Sequence, residues 1–375
     1  MKKNLIALAV SAAFVVPAMS QADTTVYGLA QVELANHSPE ADGAKSYLDA
    51  VDNANGRVGV KASEDLGNGW SGLAKFEFKA DTADGDSGSQ GCSATSTSTT
   101  TGTDGTGAAI TATTTTTTSC SVTNVSLTPR ETMVGLKGKG VGQFELGRLK
   151  SPYKYSGGVK YDPFVATTLE ARGKGGMSGG EYGQSGFLSE MIGYRGAFGP
   201  VKVQFVYGPQ TNDGRYSLSV DYSQNNFEVG LATIDEGDRG AKLSGTGDSL
   251  PTTAYSTYSS TKVFGKYNMG MHTIVAQYEM TDPAANGASA ANKPTIMFLG
   301  YQLAMGKNSF VFEYGNTNAD GAKVGTKSLD TTMLVLGAIH KMSKTTRVFG
   351  GFRNTTNDAK TGDQVITVGM RKDFK

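Results

Sequence analysis

The amino-acid sequence predicts an all-β fold, namely a transmembrane barrel of sixteen antiparallel strands, and three observations support this prediction. Apolar residues recur at every second position along most of the chain. Long and short connections alternate between the predicted strands. The last predicted strand, residues 364–374, follows the same alternation and ends on the aromatic residue Phe374. These features are typical of an up-and-down barrel whose outer face contacts lipid.

The first 22 residues are predicted to be a secretory signal peptide, and residues 23–375 a single barrel domain. Lys2 and Lys3 precede an apolar run at 5–16 and then small residues up to position 22. This is the order of the basic, apolar and cleavage regions of such a signal. No later stretch approaches the roughly 20 apolar residues that a spanning helix requires. A mature chain in a membrane must therefore be a closed barrel.

The charge of the chain disfavours one class of partner. The 375 residues carry 35 Lys and Arg against 34 Asp and Glu, which is a formal net charge of +1. Loss of Lys2 and Lys3 with the signal peptide changes this net charge by two, from +1 to −1. No cationic excess remains to bind nucleic acid.

Alternation along single segments defines the strands. Val201, Val203 and Phe205 share one face of a strand, and Lys202 and Gln204 share the other. The same pattern predicts sixteen strands. They begin near Thr24, Asn55, Gly69, Arg130, Gly142, Gly186, Val201, Arg215, Phe227, Thr261, His272, Thr295, Asn308, Thr331, Thr345 and Gln364.

Every second connection between these strands is long. The long connections are residues 37–54, 80–129, 151–185, 208–214, 235–260, 281–294, 317–330 and 355–363. The alternation places all long loops at one end of the barrel and both termini at the other. A secreted β-sandwich or solenoid also has alternating strands. The loop asymmetry and the terminal Phe374 favour the membrane barrel.

Several motifs along the mature chain resemble those of the Gram-negative general porins. They are TVYG at 25–28, GRVGVK at 56–61, MVGLK at 133–137, GQFELGR at 142–148 and VGMRKDF at 368–374. The resemblance implies a homotrimer of sixteen-stranded barrels in the outer membrane, whose third loop folds inward and narrows the pore. It implies no cofactor. It also implies that the strand ending at Phe374 is recognised by the barrel-assembly machinery, although Lys375 follows this aromatic residue.

The predicted function is passive diffusion of small hydrophilic solutes and ions through a water-filled pore, because sixteen strands enclose more space than side chains fill. The alternative is an adhesin or surface receptor that the barrel anchors among outer-membrane lipids. An enzyme is disfavoured. His37, His272 and His340 share no metal-ligand spacing with a second ligand, and no nucleophile motif occurs.

The third long connection carries the acids of the predicted constriction, Asp162 and Glu170. In the family that the chain resembles, acids on this loop face basic side chains of the barrel wall. Alternation directs Arg57 and Lys75 into the lumen, so these four residues are the predicted constriction. The alternative is that they are ordinary solvated charges.

Three further arginines are candidate pore or rim charges. Arg130 and Arg148 fall on the apolar parity of their strands, so they lie at the rim unless a β-bulge shifts the register. Arg172 and Lys174 could place positive charge on the third loop itself. The sequence therefore leaves the preference between anions and cations open.

The second long connection, residues 80–129, contains a low-complexity tract of Thr, Ser and Gly at 93–119, which cannot form a packed core. Cys92 and Cys120 bracket the tract. An exported chain with two cysteines predicts a disulfide at the base of this loop. Such a closure stabilises the fold by about 3 to 4 kcal/mol in the chain-entropy model. Metal binding by the two cysteines is the alternative.

Overall fold

The computed structural model describes residues 22–53, 56–80, 82–83, 96–103, 109–116, 128–179, 183–209, 214–237, 255–285, 293–321, 323–324 and 326–375. The chain divides into two compact units. The first comprises residues 1–83 with 128–375, and the second comprises residues 84–127. The signal peptide is predicted to be cleaved after residue 22. Residues 1–21 lie outside the described residues, so the signal peptide stays a prediction.

The described residues form β-strands and one short helix, α1 (Gly158–Tyr161). The strands are β1 (Asp23–Pro39), β2 (Tyr47–Val51), β3 (Arg57–Gly67), β4 (Trp70–Lys79), β5 (Ser96–Thr103), β6 (Ala109–Thr116), β7 (Pro129–Gly138), β8 (Gly142–Lys150), β9 (Phe187–Phe198), β10 (Val201–Gly208), β11 (Arg215–Gln224), β12 (Phe227–Asp235), β13 (Tyr255–Met269), β14 (His272–Ala285), β15 (Thr295–Met305), β16 (Asn308–Asn318), β17 (Lys323–Val324), β18 (Lys327–Ser328), β19 (Thr331–Lys341), β20 (Thr346–Thr356) and β21 (Asp363–Phe374).

The first unit is a closed antiparallel barrel. Consecutive long strands pair from β3 round to β21, and β21 pairs with β1 from Gly28↔Phe374 to Pro39↔Asp363. Sixteen strands of the described residues form the wall: β1, β3, β4, β7 to β16 and β19 to β21. The short strand β2 pairs with residues 33–37 of β1, and β3 pairs with residues 23–29 of β1. The predicted sixteen-stranded barrel is confirmed.

The structure differs from the sequence prediction at several strands; β1 ends at Pro39 and β14 at Ala285, each inside a predicted connection. Strand β2 lies inside the first predicted loop, and β13 begins at Tyr255 rather than near Thr261. Residues 255–260 are Tyr, Ser and Thr without apolar alternation, so the sequence gives no strand signal there. These residues pair with residues 281–285 of β14, and this pairing extends β13 across the polar stretch.

The two faces of the wall have opposite chemistry. Val134, Leu146 and Ile366 point outward, and each is more than half exposed. Glu145 and Thr367, which alternate with them on β8 and β21, are buried inside. Exposed apolar and buried polar positions are the reverse of a soluble protein. This pattern suits an outer face in lipid and a polar interior.

No helix in the described part of the chain has the length and apolar character needed to cross a bilayer.

The second unit contains a β-hairpin within the Thr-rich tract. Strands β5 and β6 pair from Ser96↔Thr116 to Thr103↔Ala109. Threonine is β-branched and favours strands, which accounts for a hairpin in a segment with few apolar residues. The predicted disulfide partners Cys92 and Cys120 lie outside the described residues, so the disulfide stays a prediction.

Phe374 closes the barrel against a glycine. It lies opposite Gly28 in the β1–β21 register. A Cβ atom at position 28 would lie 2.3 Å from Phe374 Cζ and 2.4 Å from the Arg57 carbonyl oxygen. Glycine is therefore the residue that this register accommodates. The packing gives Phe374 a structural place, and its role as an assembly signal stays a prediction.

Candidate pore constriction

The third long connection, described over 151–179 and 183–186, packs against the inner wall. Phe164 and Leu169 are fully buried. The Phe164 ring lies over Gly337 of β19, and Leu169 lies over Gly351 of β20. Tyr161 makes an edge contact with Phe264 of β13, with ring centroids 6.0 Å apart. These contacts place the segment within the lumen, and we refer to it as the constriction loop.

Hydrogen bonds to β14 hold one end of the constriction loop. The Tyr153 hydroxyl donates to Glu279 Oε2 at 2.7 Å, and the Ser178 N–H donates to Glu279 Oε1 at 3.0 Å. The Gly158 N–H also donates to Gln277 of the same strand. Glu279 and Gln277 are polar residues of the inward parity, so this end of the loop is bound to the inner face of β14.

A second set of hydrogen bonds holds the loop to β1, which five strands separate from β14. The Thr168 N–H and hydroxyl donate to Glu33 at 3.1 and 2.8 Å. Gln31 Nε2 donates to the Ala166 carbonyl oxygen at 2.6 Å. Arg353 of β20 donates to the Thr168 carbonyl oxygen. The loop is therefore attached to two well-separated parts of the wall and crosses the lumen between them.

Asp162 lies beneath the constriction loop rather than on its pore-facing side. It is only 4% exposed. One carboxylate oxygen accepts the Phe164 N–H at 2.6 Å and the other accepts the Ala171 N–H at 3.1 Å. On the wall side it meets the buried Glu313 of β16. Its contacts fix the loop backbone, and they differ from the predicted opposition to Arg57 and Lys75.

Glu170 and Arg172 form an ion pair on the loop. Arg172 Nε lies 2.5 Å from Glu170 Oε1, and the Ala166 N–H donates to Glu170 Oε2 at 2.7 Å. The Glu170 side chain is 9% exposed and that of Arg172 is 32% exposed. The guanidinium is thus the part of this pair that meets water.

Arg57 and Lys75, the predicted wall bases, line a common cavity of about 1000 Å³ together with Lys150 and Glu77. Lys75 forms an ion pair with Glu131 and lies 3.8 Å from Glu77. The inward direction expected from alternation therefore agrees with their placement.

Arg130 and Arg148 also reach the lumen, because the strands that carry them have shifts in register. The β4–β7 register shifts between Phe76 and Phe78, and the β8–β9 register shifts between Gly147 and Leu149. A bulge of this kind re-aims side chains. Gly147 has a φ of +138°, which suits glycine.

The two arginines share an aromatic neighbour. Arg130 Nε lies 2.9 Å from Glu77 Oε1, and Arg148 Nη1 donates to Ser189 at 2.6 Å. Their guanidinium carbons lie 5.0 and 5.8 Å from the centre of the Phe187 ring, within cation–π range. The ring and these bonds fix both side chains at the edge of one cavity.

That cavity, of about 350 Å³, lies between the constriction loop and the wall. Among the described residues, its lining includes one acidic side chain, Glu279, and six basic ones: Lys79, Arg130, Arg148, Lys154, Arg172 and Lys262. Burial lowers the pKa of the loop residue Lys154 to about 7, and the nearby positive charge of Arg172 adds to this shift. The charge of this loop residue therefore changes near neutral pH.

Two further lumen cavities have the same charge imbalance. Of the described residues, seven basic and two acidic ones line the cavity next to Arg57. In the described part of the chain, five basic residues and one acidic residue, Asp221, line a cavity of about 650 Å³ near Lys160. Positive charge therefore dominates all three.

Unequal exposure of ion-pair partners explains this imbalance. Arg195 is 23% exposed and its partner Glu145 is 2% exposed. Several other pairs of the inner wall follow the same rule: Lys75 with Glu131, Arg130 with Glu77, Arg215 with Glu236 and Lys266 with Glu228. Two pairs are reversed: Arg353 is buried under the loop while Asp363 is not, and Asp373 is more exposed than Arg371. In most pairs the base meets water and the acid lies behind it.

A family model described as Gram-negative porin matches residues 7–360 of this chain. The chain belongs to the Gram-negative porin family. The porin is 24% identical over 309 residues to the major outer membrane protein P.IB of Neisseria gonorrhoeae, a match that covers 78% of this chain and 75% of that protein.

Solved structures share the fold of this porin. An anion-selective porin from Comamonas acidovorans is 17% identical, with a TM-score of 0.67, over 94% of this chain and 100% of that one. A trimer form of OmpT from Vibrio cholerae is 15% identical, with a TM-score of 0.61, over 94% and 99%. The porin is an outer-membrane channel for passive diffusion of small hydrophilic solutes and ions through its lumen.

Proposed function

We propose that this porin is a trimeric, non-enzymatic diffusion pore that prefers small anions to cations. The observation that carries the preference is the unequal exposure of the wall ion pairs, in which bases face water and acids lie behind them. A charge at the surface of a narrow pore acts on passing ions more strongly than a charge that is buried and paired. One structural neighbour, from Comamonas acidovorans, is an anion-selective porin, which supports this proposal.

The proposed constriction differs from the sequence prediction, because it leaves out Asp162 and adds the three candidate pore or rim charges Arg130, Arg148 and Arg172. It comprises Arg57 and Lys75 with Arg130 and Arg148 on the wall, opposite the Glu170–Arg172 pair on the loop. Asp162 is assigned to loop attachment, since both of its oxygens accept loop N–H groups. The exposed Arg172 places positive charge on the loop as well as on the wall.

The trimer is proposed because one structural neighbour was solved in a trimer form. Single-channel recording of the purified, folded porin in a planar bilayer tests it. Conductance steps that arrive and close in groups of three support the trimer. Solitary steps of one size would contradict it.

A liposome-swelling assay tests the solute preference directly. Proteoliposomes are diluted into an anionic, a neutral or a cationic solute of matched size, and the rate of swelling is measured. We expect the anionic solute to enter faster than the cationic one. Equal rates, or faster entry of the cationic solute, would overturn the proposed preference while leaving the porin function intact.

A further inference from the structure

Glu313 of β16 is a carboxyl group that the wall buries without a donor. It is 0% exposed, and among the described residues neither of its oxygens accepts a hydrogen bond from an N–H or hydroxyl group. Its cross-strand neighbours, Gly300 of β15 and Val335 of β19, carry no charge. An ionised carboxylate in such a place loses its hydration and gains nothing in return.

The group that faces Glu313 is a second carboxyl, Asp162 of the constriction loop. Both Asp162 oxygens accept backbone N–H groups, from Phe164 and Ala171, so Asp162 is equipped to carry the negative charge. Two carboxylates in contact in a dry site cannot both be ionised. A proton on Glu313 turns its acceptor oxygen into a donor, which satisfies the contact.

We propose that Glu313 is held protonated and donates a hydrogen bond to Asp162, and that this shared proton positions the constriction loop against β16. Glu313 is thus a positioning residue, since it acts on the pore through the loop. This inference goes beyond the anion preference and does not depend on it.

The charged groups around the pair act in both directions. Glu170 of the loop adds negative potential at both carboxyl groups. Arg172 of the loop and Arg347 of β20 interact favourably with an ionised Asp162. Burial, with the Glu170 charge as the next contribution, raises the pKa of Asp162 to about 7. The pair therefore keeps at least one proton through neutral pH.

Loss of that last proton has a structural consequence. Two adjacent negative charges under the loop repel each other and draw in water, so the loop should move away from β16. The pore should respond by a change in conductance at alkaline pH, when the bonds of Thr168 to Glu33 and of Ser178 to Glu279 still attach the loop to β1 and β14.

Infrared spectroscopy of the folded porin tests the proton itself. At about pH 8, above the pKa of Asp162 and of ordinary carboxyl groups, wild type should show the carbonyl band of a buried protonated carboxyl group. Glu313→Gln should lack this band. Glu145→Gln, which removes a buried inward-facing acid that has a basic partner, should retain it. A wild-type spectrum without the band, or a band that persists in Glu313→Gln, would overturn the proposal.

Single-channel conductance between about pH 6 and about pH 10 tests the consequence. Wild type and Glu145→Gln should change conductance at the alkaline end, where the infrared band also disappears. Glu313→Gln keeps a donor toward Asp162 and should lack this alkaline change in conductance. If Glu313→Gln fails to fold, the infrared band and the conductance of wild type alone must still change together with pH. A conductance change at a different pH from the band would contradict the proposal.

Discussion

Arg172 Nε lies 2.5 Å from Glu170 Oε1, and the arginine is the more exposed partner of the pair. The two residues are two positions apart on the constriction loop. The loop therefore presents the Arg172 guanidinium to the pore, and the less exposed Glu170 carboxylate compensates its charge. The charge that an ion meets at this point depends on whether that acid is present.

Neutralisation of Glu170 should make the pore more anion-selective. In Glu170→Gln the positive charge of Arg172 loses its nearest compensation. We expect roughly a twofold rise in the ratio of anion to cation permeability, which corresponds to about 0.4 kcal/mol. The reversal potential under a salt gradient measures this ratio. Arg172→Gln should shift it the other way, and an unchanged potential in Glu170→Gln would remove Glu170 from the filter.

The anion preference should weaken as the pH rises through about 7. Lys154 has its pKa lowered to about 7 by burial, so it is charged below that pH and neutral above it. Deprotonation removes one positive charge from the cavity that it shares with Arg130 and Arg148. Reversal potentials measured between about pH 5 and about pH 9 should show this step.

Two variants assign this pH step to Lys154. Lys154→Met should remove the Lys154 part of the step and show the weaker preference at every pH. Lys154→Arg stays charged throughout, because arginine does not deprotonate in this range, and should show the stronger preference. A step that survives in both variants belongs to another group.

Gly28 should tolerate no side chain. A Cβ at this position meets the Phe374 ring at 2.3 Å and the Arg57 carbonyl oxygen at 2.4 Å. The ring can turn, but the carbonyl belongs to the paired strand β3. We expect Gly28→Ala to cost about 1 to 3 kcal/mol through overpacking. The loss should appear as a lower denaturant midpoint of the refolded barrel.

A matched glycine provides the control for this test. A Cβ at Gly72 of β4 meets only the Leu66 side chain, at an ordinary 3.7 Å. Gly72→Ala should therefore leave the midpoint nearly unchanged. Equal effects of the two substitutions would contradict the packing account of Gly28 and Phe374.

The Thr-rich loop should be dispensable for conductance. Residues 84–127 form a compact unit of their own, and the barrel strands pair without them. Deletion of residues 93–119 should leave the single-channel conductance within the spread of wild type. A closed or leaky pore after the deletion would assign the loop to the channel itself.

The predicted bridge between Cys92 and Cys120 has a separate chemical test. Thiol titration of the denatured, non-reduced protein should find no free thiol, and reduction should release two. Two free thiols before reduction would rule the disulfide out.

The sequence predicted the strands well because a wall with lipid on one side and water on the other imposes a period of two. Fifteen of the sixteen predicted starts fall within two residues of the observed ones, and β13 is the exception. Its upper end is polar on both faces and gains its pairing from β14. A strand segment that forms through pairing with its neighbour need not show apolar alternation in its own sequence.

The constriction was less predictable because its geometry depends on bulges and on loop docking. Alternation gave the inward direction of Arg57 and Lys75. It could not locate the register shifts that bring Arg130 and Arg148 into the lumen, since one extra residue reverses the parity. The position of Asp162 depends on the Glu313 contact, which joins residues far apart in the chain. The inward parity of Glu313 between Phe312 and Tyr314 was the available signal.

The most direct test of the central claim is the reversal potential of the purified, folded porin in a planar bilayer under a potassium chloride gradient at neutral pH. Because the basic side chains of the lumen are exposed and their acidic partners are buried, we expect a reversal potential of the sign set by chloride. A reversal potential of the sign set by potassium would contradict the anion preference. The buried acids would then determine the selectivity of the pore despite their lower exposure.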